Sequence, residues 1–312
     1  MTTPADTVAV SPRSIKRRSE GPWRIALGRL FRQRSGIAGM ILLGILVFLA
    51  IFAPVVAPYD PNEVLIGKEP VQKREAPCIH LLGCPPEKPQ HIMGVDGNVR
   101  DEFSRIVYGA RISLFVGFLT IGFAIIVGTF LGTVAGYLGG WVSDVIMRVM
   151  DVVLAFPFLL LAIAIVAVLG PGLINAMLAI AIVNIPAYAR VIRSSVLSVR
   201  EEEYVTAARS IGASHGRILS QHIMPNAIPP IIVLATLGIG TAILETAALS
   251  FLGLGAQPPQ PEWGAMLASE RNQVFSAPHL VFFPGLAIMV TVLGFNLLGD
   301  GLRDALDPRL RI

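Results

Sequence analysis

The chain has 312 residues, of which 54% are apolar and 15% charged, and its mean hydropathy is +0.67. Soluble domains carry about 25% charged residues, so the composition excludes a protein wetted on all sides and overrides the two-domain expectation that length alone would give. The net charge of +4 does not point to nucleic acid, because the basic residues flank apolar runs without interleaved aromatics, an arrangement that membrane topology explains.

Residues 1–35 form a basic tail with eight Lys/Arg. Its last part, Trp23–Phe31, is a candidate amphipathic helix on the membrane surface. Residues 36–57 are uncharged and supply the roughly 20 apolar residues that one crossing needs. The run is too long for the core of a cleaved signal, and Pro58 stands where cleavage after Ala57 would occur, so it is read as a retained first helix. Residues 58–108 are polar with seven prolines, which predicts an irregular excursion outside the membrane and a short helix near Asp101–Tyr108. The two cysteines of the chain, Cys78 and Cys84, fall in this stretch. They form a small disulfide if the compartment is oxidising, or stand as two thiols. His80 and His91 are close by, but the spacing matches no zinc pattern, and no metal site is expected.

Residues 109–302 hold five further candidate helices. The first, about 110–136, contains Gly117, Gly122, Gly128, Gly132 and Gly136, which predict close packing, and Gly139-Gly140 ends it. Gly170-Pro171-Gly172 divides the next apolar run into a hairpin, one arm starting near Asp144 and the other covering Leu173–Val191. Pro157 and Pro186 predict kinks, and Arg148 and Asp151 an i,i+3 ion pair. A fifth helix follows Pro225, the prolines at 258, 259 and 261 mark a loop, and the sixth helix covers about 280–300. Residues 303–312 are a short polar tail, and Asp300, Arg303 and Asp304 a solvated face. The expected fold is therefore all-α, a polytopic bundle of about six transmembrane helices in contact with lipid. Basic residues collect in the N-terminal tail, in 190–217 and at Arg303, Arg309 and Arg311, which puts both termini in the cytoplasm.

Between the fourth and fifth helices lies the polar segment 200–224. Tyr204, Ala208 and Ile211 share one helical face, Gly212 suits a left-handed cap, Ser214 is able to cap a second short helix, and Pro225 restarts the chain into the bilayer. The small Ala207 and Ala208 would let another protein approach closely, whereas the composition alone favours an amphipathic helix resting on headgroups. Within the membrane, ionisable groups are costly and usually functional or paired. Glu245 is read either as a pathway or gate residue or as a structural contact. Asn184 and Asn296 are read mainly as interhelix hydrogen bonders, with a place in the pathway as the alternative.

The run Glu203-Tyr204-Val205-x-Ala207-Ala208-Arg209-x-x-Gly212-Ala213-Ser214, followed by His222-Ile223-Met224-Pro225-Asn226, resembles the coupling loop of ATP-binding-cassette importer permeases. Met224-Pro225 replaces the usual Leu-Pro, and Thr206 stands where many members have Glu. His91-x-x-Gly94-x-Asp96-x-x-x-Arg100-Asp101-x-x-Ser104-Arg105, Leu154-Ala155-Phe156-Pro157 and the run from Glu245 to Gly255 are similar to the dipeptide/oligopeptide permease family, C subunit type. The likeness covers nearly all of Ile37–Arg309. It implies a type I importer core in a bacterial or archaeal cytoplasmic membrane, a second homologous permease, two cytoplasmic ATP-binding subunits, one of which receives the 201–217 loop in a groove, and an extracytoplasmic substrate-binding protein. The cargo implied is a dipeptide or oligopeptide, with a metal chelate or glutathione as the alternative. No cofactor is expected in this chain and no catalysis. The chain has no Gly-x-x-x-x-Gly-Lys-[Ser/Thr] run, so ATP would be used by the partners. An ion-coupled secondary transporter, the reading from a different class, would call for a coupling-ion site and usually for internal repeats, and no clear repeat relates the two halves.

Overall fold

In the computed structural model, residues 28–306 are described. Expectations for 1–27 and 307–312, including most of the basic tail, Arg309 and Arg311, lie outside the described residues. Helix α1 (Arg34–Ile51) continues after Phe52 as the short α2 (Ala53–Val56). Pro54 sits in the first turn of α2, where its missing N–H has no intrahelical partner to lose.

Helix α3 (Glu102–Leu138) has 37 residues, about 55 Å at 1.5 Å per residue. It starts where Asp101 caps it by accepting the Ser104 N–H at 2.7 Å, and it stops at Gly139, φ +69°. The short helix expected near 101–108 and the second span are thus one continuous helix, capped at Asp101, eleven residues before the uncharged run begins at Ile112.

Helices α4 (Gly140–Leu154) and α5 (Phe158–Leu169) meet at 92°. The kink expected at Pro157 is therefore a break. The ring removes a donor and restricts Phe156 before it. Helix α6 (Leu173–Arg200) passes through Pro186 and runs nine residues past the expected end at Val191. Helix α10 is Pro229–Phe251 and α12 is His279–Leu306. Between them the loop at 252–278 contains an unexpected helix, α11 (Trp263–Glu270), capped by the Glu262 carboxylate, which accepts from the Gly264 and Ala265 amides. Among the described residues, five helices are long and apolar enough to cross a bilayer, and the bent α4/α5 pair makes up to a sixth passage.

Small residues bring these helices together. A Cβ added at Gly132 of α3 would sit 2.1 Å from Ile192 Cγ2 and 2.3 Å from the Ala189 carbonyl oxygen of α6. Gly128 and Gly136 meet the same helix one turn either side. Lipid supplies no hydrophobic drive for helix association, so such close backbone approach carries the packing. Gly122, expected in the same stripe, faces open space. Gly39 of α1 lies against the backbone of Gly294 and Leu298 in α12, and Gly36 against Gly301. The matching registers make α3 and α6 parallel and α1 and α12 antiparallel. One end of the bundle, the cap end, therefore holds 57–101, 170–172 and 252–278. The other, the loop end, holds 138–140, 201–228 and the last turn of α12. The apolar core between them includes Ile121, Ile180, Ile192, Ala242 and Leu249.

The cap is irregular, as its prolines predict, but well packed. Leu65, Val95 and Val99 form its own small core. Cys78 and Cys84 are joined in a disulfide, with Cα atoms 5.4 Å apart. Trp263 of α11 is fully buried and donates from its indole N–H to the Ile106 carbonyl at 3.1 Å.

Candidate functional site

The loop between α6 and α10 packs its apolar side chains into the main core of the bundle. Helix α7 (Glu203–Ser210) turns at Gly212, φ +82°, into α8 (His215–Arg217), a wide π turn over Ile218–Ile223, and α9 (Met224–Ala227). The Gly212 amide donates to Arg209 O at 3.0 Å and the Ala213 amide to Ala208 O at 3.1 Å, the pattern of a helix closed by a left-handed residue. Val205, Ile218 and Ile223 are fully buried in that core.

Two expectations change here. The buried stripe of α7 is Val205 and Ala208, and Ile211 points outward, 86% exposed. Ala208 is buried in the loop itself, so only Ala207 of the pair lies open to a neighbour. Helical spacing groups residues on a face but does not say which face the rest of the chain covers. Ser214 occupies the N-cap position of α8 without a side-chain hydrogen bond. Pro225 sits in the first turn of α9. The outer surface of the loop carries Glu203, Tyr204, Ala207, Arg209, Ile211 and Gly212. Behind it, Asn226 Nδ2 donates to the Tyr204 hydroxyl at 3.1 Å and to His222 O at 2.8 Å. Burial and the nearby Glu202 charge raise the Tyr204 pKa, against the Asn226 hydrogen bond that lowers it.

No local pattern announces the contacts that hold the end of α3 to this loop and to α6. The Tyr137 hydroxyl, at the end of α3, lies 2.7 Å from His215 Nδ1. Arg200 Nη1, at the end of α6, donates to Tyr137 O at 3.1 Å. Both join residues more than sixty positions apart, which local patterns do not reveal.

Inside the bundle, Asn184 Nδ2 of α6 donates to Glu245 Oε2 of α10 at 3.3 Å and to Ile180 O at 3.0 Å. Glu245 Oε1 has no hydrogen-bond partner among the described residues. Asn296 is exposed on α12, and among the described residues no hydrogen bond joins it to a neighbouring helix. The interhelix role expected for Asn296 is therefore not seen, whereas Asn184 has one. Asp151 pairs with Arg190 of α6 at 2.6 Å rather than with Arg148, since the partner helix offers a guanidinium across the gap.

At the cap end the charges are buried and matched. Asp96 pairs with Arg100 at 2.6 Å and lies 3.6 Å from Arg105. Arg74 pairs with Glu270 of α11 at 2.8 Å, whose other oxygen accepts the Gly97 amide at 3.0 Å. His91 is clasped by Asp101 at 2.8 Å and Glu69 at 3.2 Å, with Tyr59 stacked on its ring. Burial pushes the His91 pKa down, but the Asp101 hydrogen bond and the charges of Asp101 and Glu69 outweigh it and leave it raised. Among the described residues no group of His, Cys, Asp and Glu is arranged to hold a metal ion.

A bundle of about six apolar passages, with a folded polar loop at one end and a charge-locked cap at the other, defines an integral-membrane transport component. Residues 128–312 match the family described as "Binding-protein-dependent transport system inner membrane component". Residues 21–77 match the "N-terminal TM domain of oligopeptide transport permease C". The chain is 51% identical over 290 residues to the dipeptide transport system permease protein DppC of Alkalihalophilus pseudofirmus, covering 93% of this chain and 91% of the relative. It is 45% identical to the glutathione transport system permease protein GsiD of Pectobacterium atrosepticum, covering 93% and 92%. It is 46% identical to the di/tripeptide transport system permease protein DppC of Pseudomonas aeruginosa, covering 89% of each. A chain of the inward-facing MetNI methionine ABC transporter superposes with a TM-score of 0.54 at 18% identity, covering 64% of this chain and 96% of that one, a likeness of fold. The protein belongs to the family of inner-membrane permease components of binding-protein-dependent transport systems.

Proposed function

We infer that this chain is the transmembrane permease subunit of an ATP-driven importer that carries dipeptides or short oligopeptides across the cytoplasmic membrane. The observation that carries the reading is the loop at 201–224, which roots Val205, Ile218 and Ile223 in the core of the bundle yet turns Ala207, Ile211 and several charges outward. One of two cytoplasmic ATP-binding subunits docks there, the pair supplies the energy, and a second homologous permease completes the pathway. An extracytoplasmic binding protein delivers cargo to the cap end, so both termini are cytoplasmic. The chain itself binds no ATP and performs no catalysis. The relatives named for dipeptide and glutathione transport support a short peptide as cargo, glutathione being itself a tripeptide. Glu245, held by Asn184 with one oxygen unpartnered, is assigned to the pathway as the group that meets the cargo's amine.

The test is purification of the chain from its native membrane in detergent, with its companions identified and their ATPase activity and uptake measured after reconstitution. Two ATP-binding subunits and a second permease are expected to co-purify. Ile211→Asp is expected to lower the captured ATPase at least about tenfold, the loss typical of a desolvated contact residue. Gly212→Val, which forces a β-branched residue into a left-handed conformation, is expected to uncouple hydrolysis from uptake. Solute transport by the chain alone without ATP would overturn the reading in favour of a secondary transporter. Peptide uptake with unchanged kinetics in Glu245→Gln would remove Glu245 from the pathway.

A further inference from the structure

The last turn of α3 is fastened to the loop end from two sides. Arg200 Nη1 donates to the carbonyls of Tyr137 at 3.1 Å and Gly136 at 3.4 Å. These are oxygens that a helix leaves without intrahelical partners, and a guanidinium there also meets the negative end of the helix dipole. From the same turn the Tyr137 hydroxyl reaches His215 Nδ1 at 2.7 Å, with the two rings edge to face at 5.9 Å. His215 opens α8, on the half of the loop that follows the left-handed turn at Gly212. Among the described residues, no other side-chain hydrogen bond ties 211–217 to a bundle helix.

Helix α3 is built to carry a displacement. No proline interrupts its 37 residues. Gly132 and its neighbours seat it closely against α6. Its far end is gripped as well, where Asp101 caps it and is held by His91, and where Arg105 is buried beside Asp96. Helix α3 thus offers an unbroken path from Tyr137 to the cap.

We propose that Tyr137 and His215 form the contact through which movement of the ATPase-facing loop is handed to α3, with Tyr137 as a positioning residue for coupled transport. The inference rests on the docking of ATP-binding subunits on this loop, and it adds a specific path from that loop into the membrane.

The test uses the assembled transporter in proteoliposomes, with subunit yield, ATP hydrolysis and peptide uptake measured on the same preparation. Tyr137→Phe keeps the ring contact and removes only the hydroxyl. The transporter should assemble in equal yield while uptake per ATP hydrolysed falls about fivefold, the scale of one hydrogen bond. His215→Ala should match it, and the double variant should be no worse than either single one, as for two halves of one interaction. His215→Asn, whose amide oxygen falls near the position of Nδ1, should restore most of the coupling. Wild-type uptake per ATP in Tyr137→Phe, or fully additive losses in the double variant, would overturn the proposal. If Gly212→Val uncouples while Tyr137→Phe does not, only this path is wrong. If Gly212→Val and Ile211→Asp both stay coupled, the docking reading fails and takes this inference with it. Should Tyr137→Phe lower assembly, the His215→Asn and His215→Ala pair decides on uptake per ATP, and equal values overturn the proposal.

Discussion

The two ends of this bundle handle charge in opposite ways. At the cap, Asp96, Arg100, Asp101, Glu102, Arg105 and Glu270 are buried, and all but Glu102 have a charged partner within the chain. In the loop, Glu202, Glu203, Arg209 and Arg217 are exposed, and no ion pair joins them to another residue among the described ones. Buried charges left unmatched cost several kcal/mol, so the cap is a closed system that spends its polar groups on itself. The loop keeps its polar groups free for another molecule. Charge that satisfies itself marks a structural lock, and charge left outward on a rigid apolar base marks a contact surface.

The sharpest way to break this contrast is at the cap. Asp96→Ala strands the Arg100 and Arg105 guanidiniums in a buried site, and the expected loss is about 3–5 kcal/mol, read as a lower unfolding midpoint of the detergent-solubilised protein. His91 gives a smaller effect with a defined sign. Its pKa is raised in the fold, so its contribution is fully present below the ordinary value near 6.5 and is lost as pH rises through the raised folded value. His91→Gln should remove that slope across this window, and a pH series of unfolding midpoints with unchanged slope would show that the clasp carries no linkage. The smallest effect belongs to the loop. Arg209→Glu should leave the stability of the chain within about 0.5 kcal/mol, as for exposed positions generally, and lower only the capture of ATP-binding subunits. A large loss of stability there would mean that the loop, too, is locked to its own fold.

What was legible in the sequence follows the same division. The turn at Gly212 and the glycine stripe at 128, 132 and 136 could be read because each depends on local geometry or a single helical period. The apolar runs gave the number of passages for the same reason. The cap's lock was not legible, since Glu69, His91 and Asp101 are brought together by an irregular path with no period to follow. The continuity of α3 was hidden because Arg105 and Arg111 interrupt the apolar pattern, so that 101–108 reads as a separate short helix. That Ala208 is buried while Tyr204 and Ile211 are exposed was not legible, because i, i+4, i+7 spacing is blind to where the neighbour lies. The Tyr137–His215 contact joins two segments 78 residues apart, and nothing in either segment announces the other.

The right-angled junction of α4 and α5 bears on how the protein is made. Helix α5 has 12 residues, about 18 Å of rise against a hydrocarbon layer of about 30 Å, so an upright α5 with its Leu169 end at the surface holds the junction at 155–157 inside that layer. The first amides of α5, at Phe158, Leu159 and Leu160, have no acceptor within the helix, and acyl chains offer none. A newly synthesised copy surrounded only by lipid would leave those amides bare. Its maturation is then tied to the arrival of a companion surface or a wetted passage. Orphan copies should be short-lived substrates for membrane proteases, and the cellular amount of this chain should follow the supply of its companions rather than the rate of its own translation.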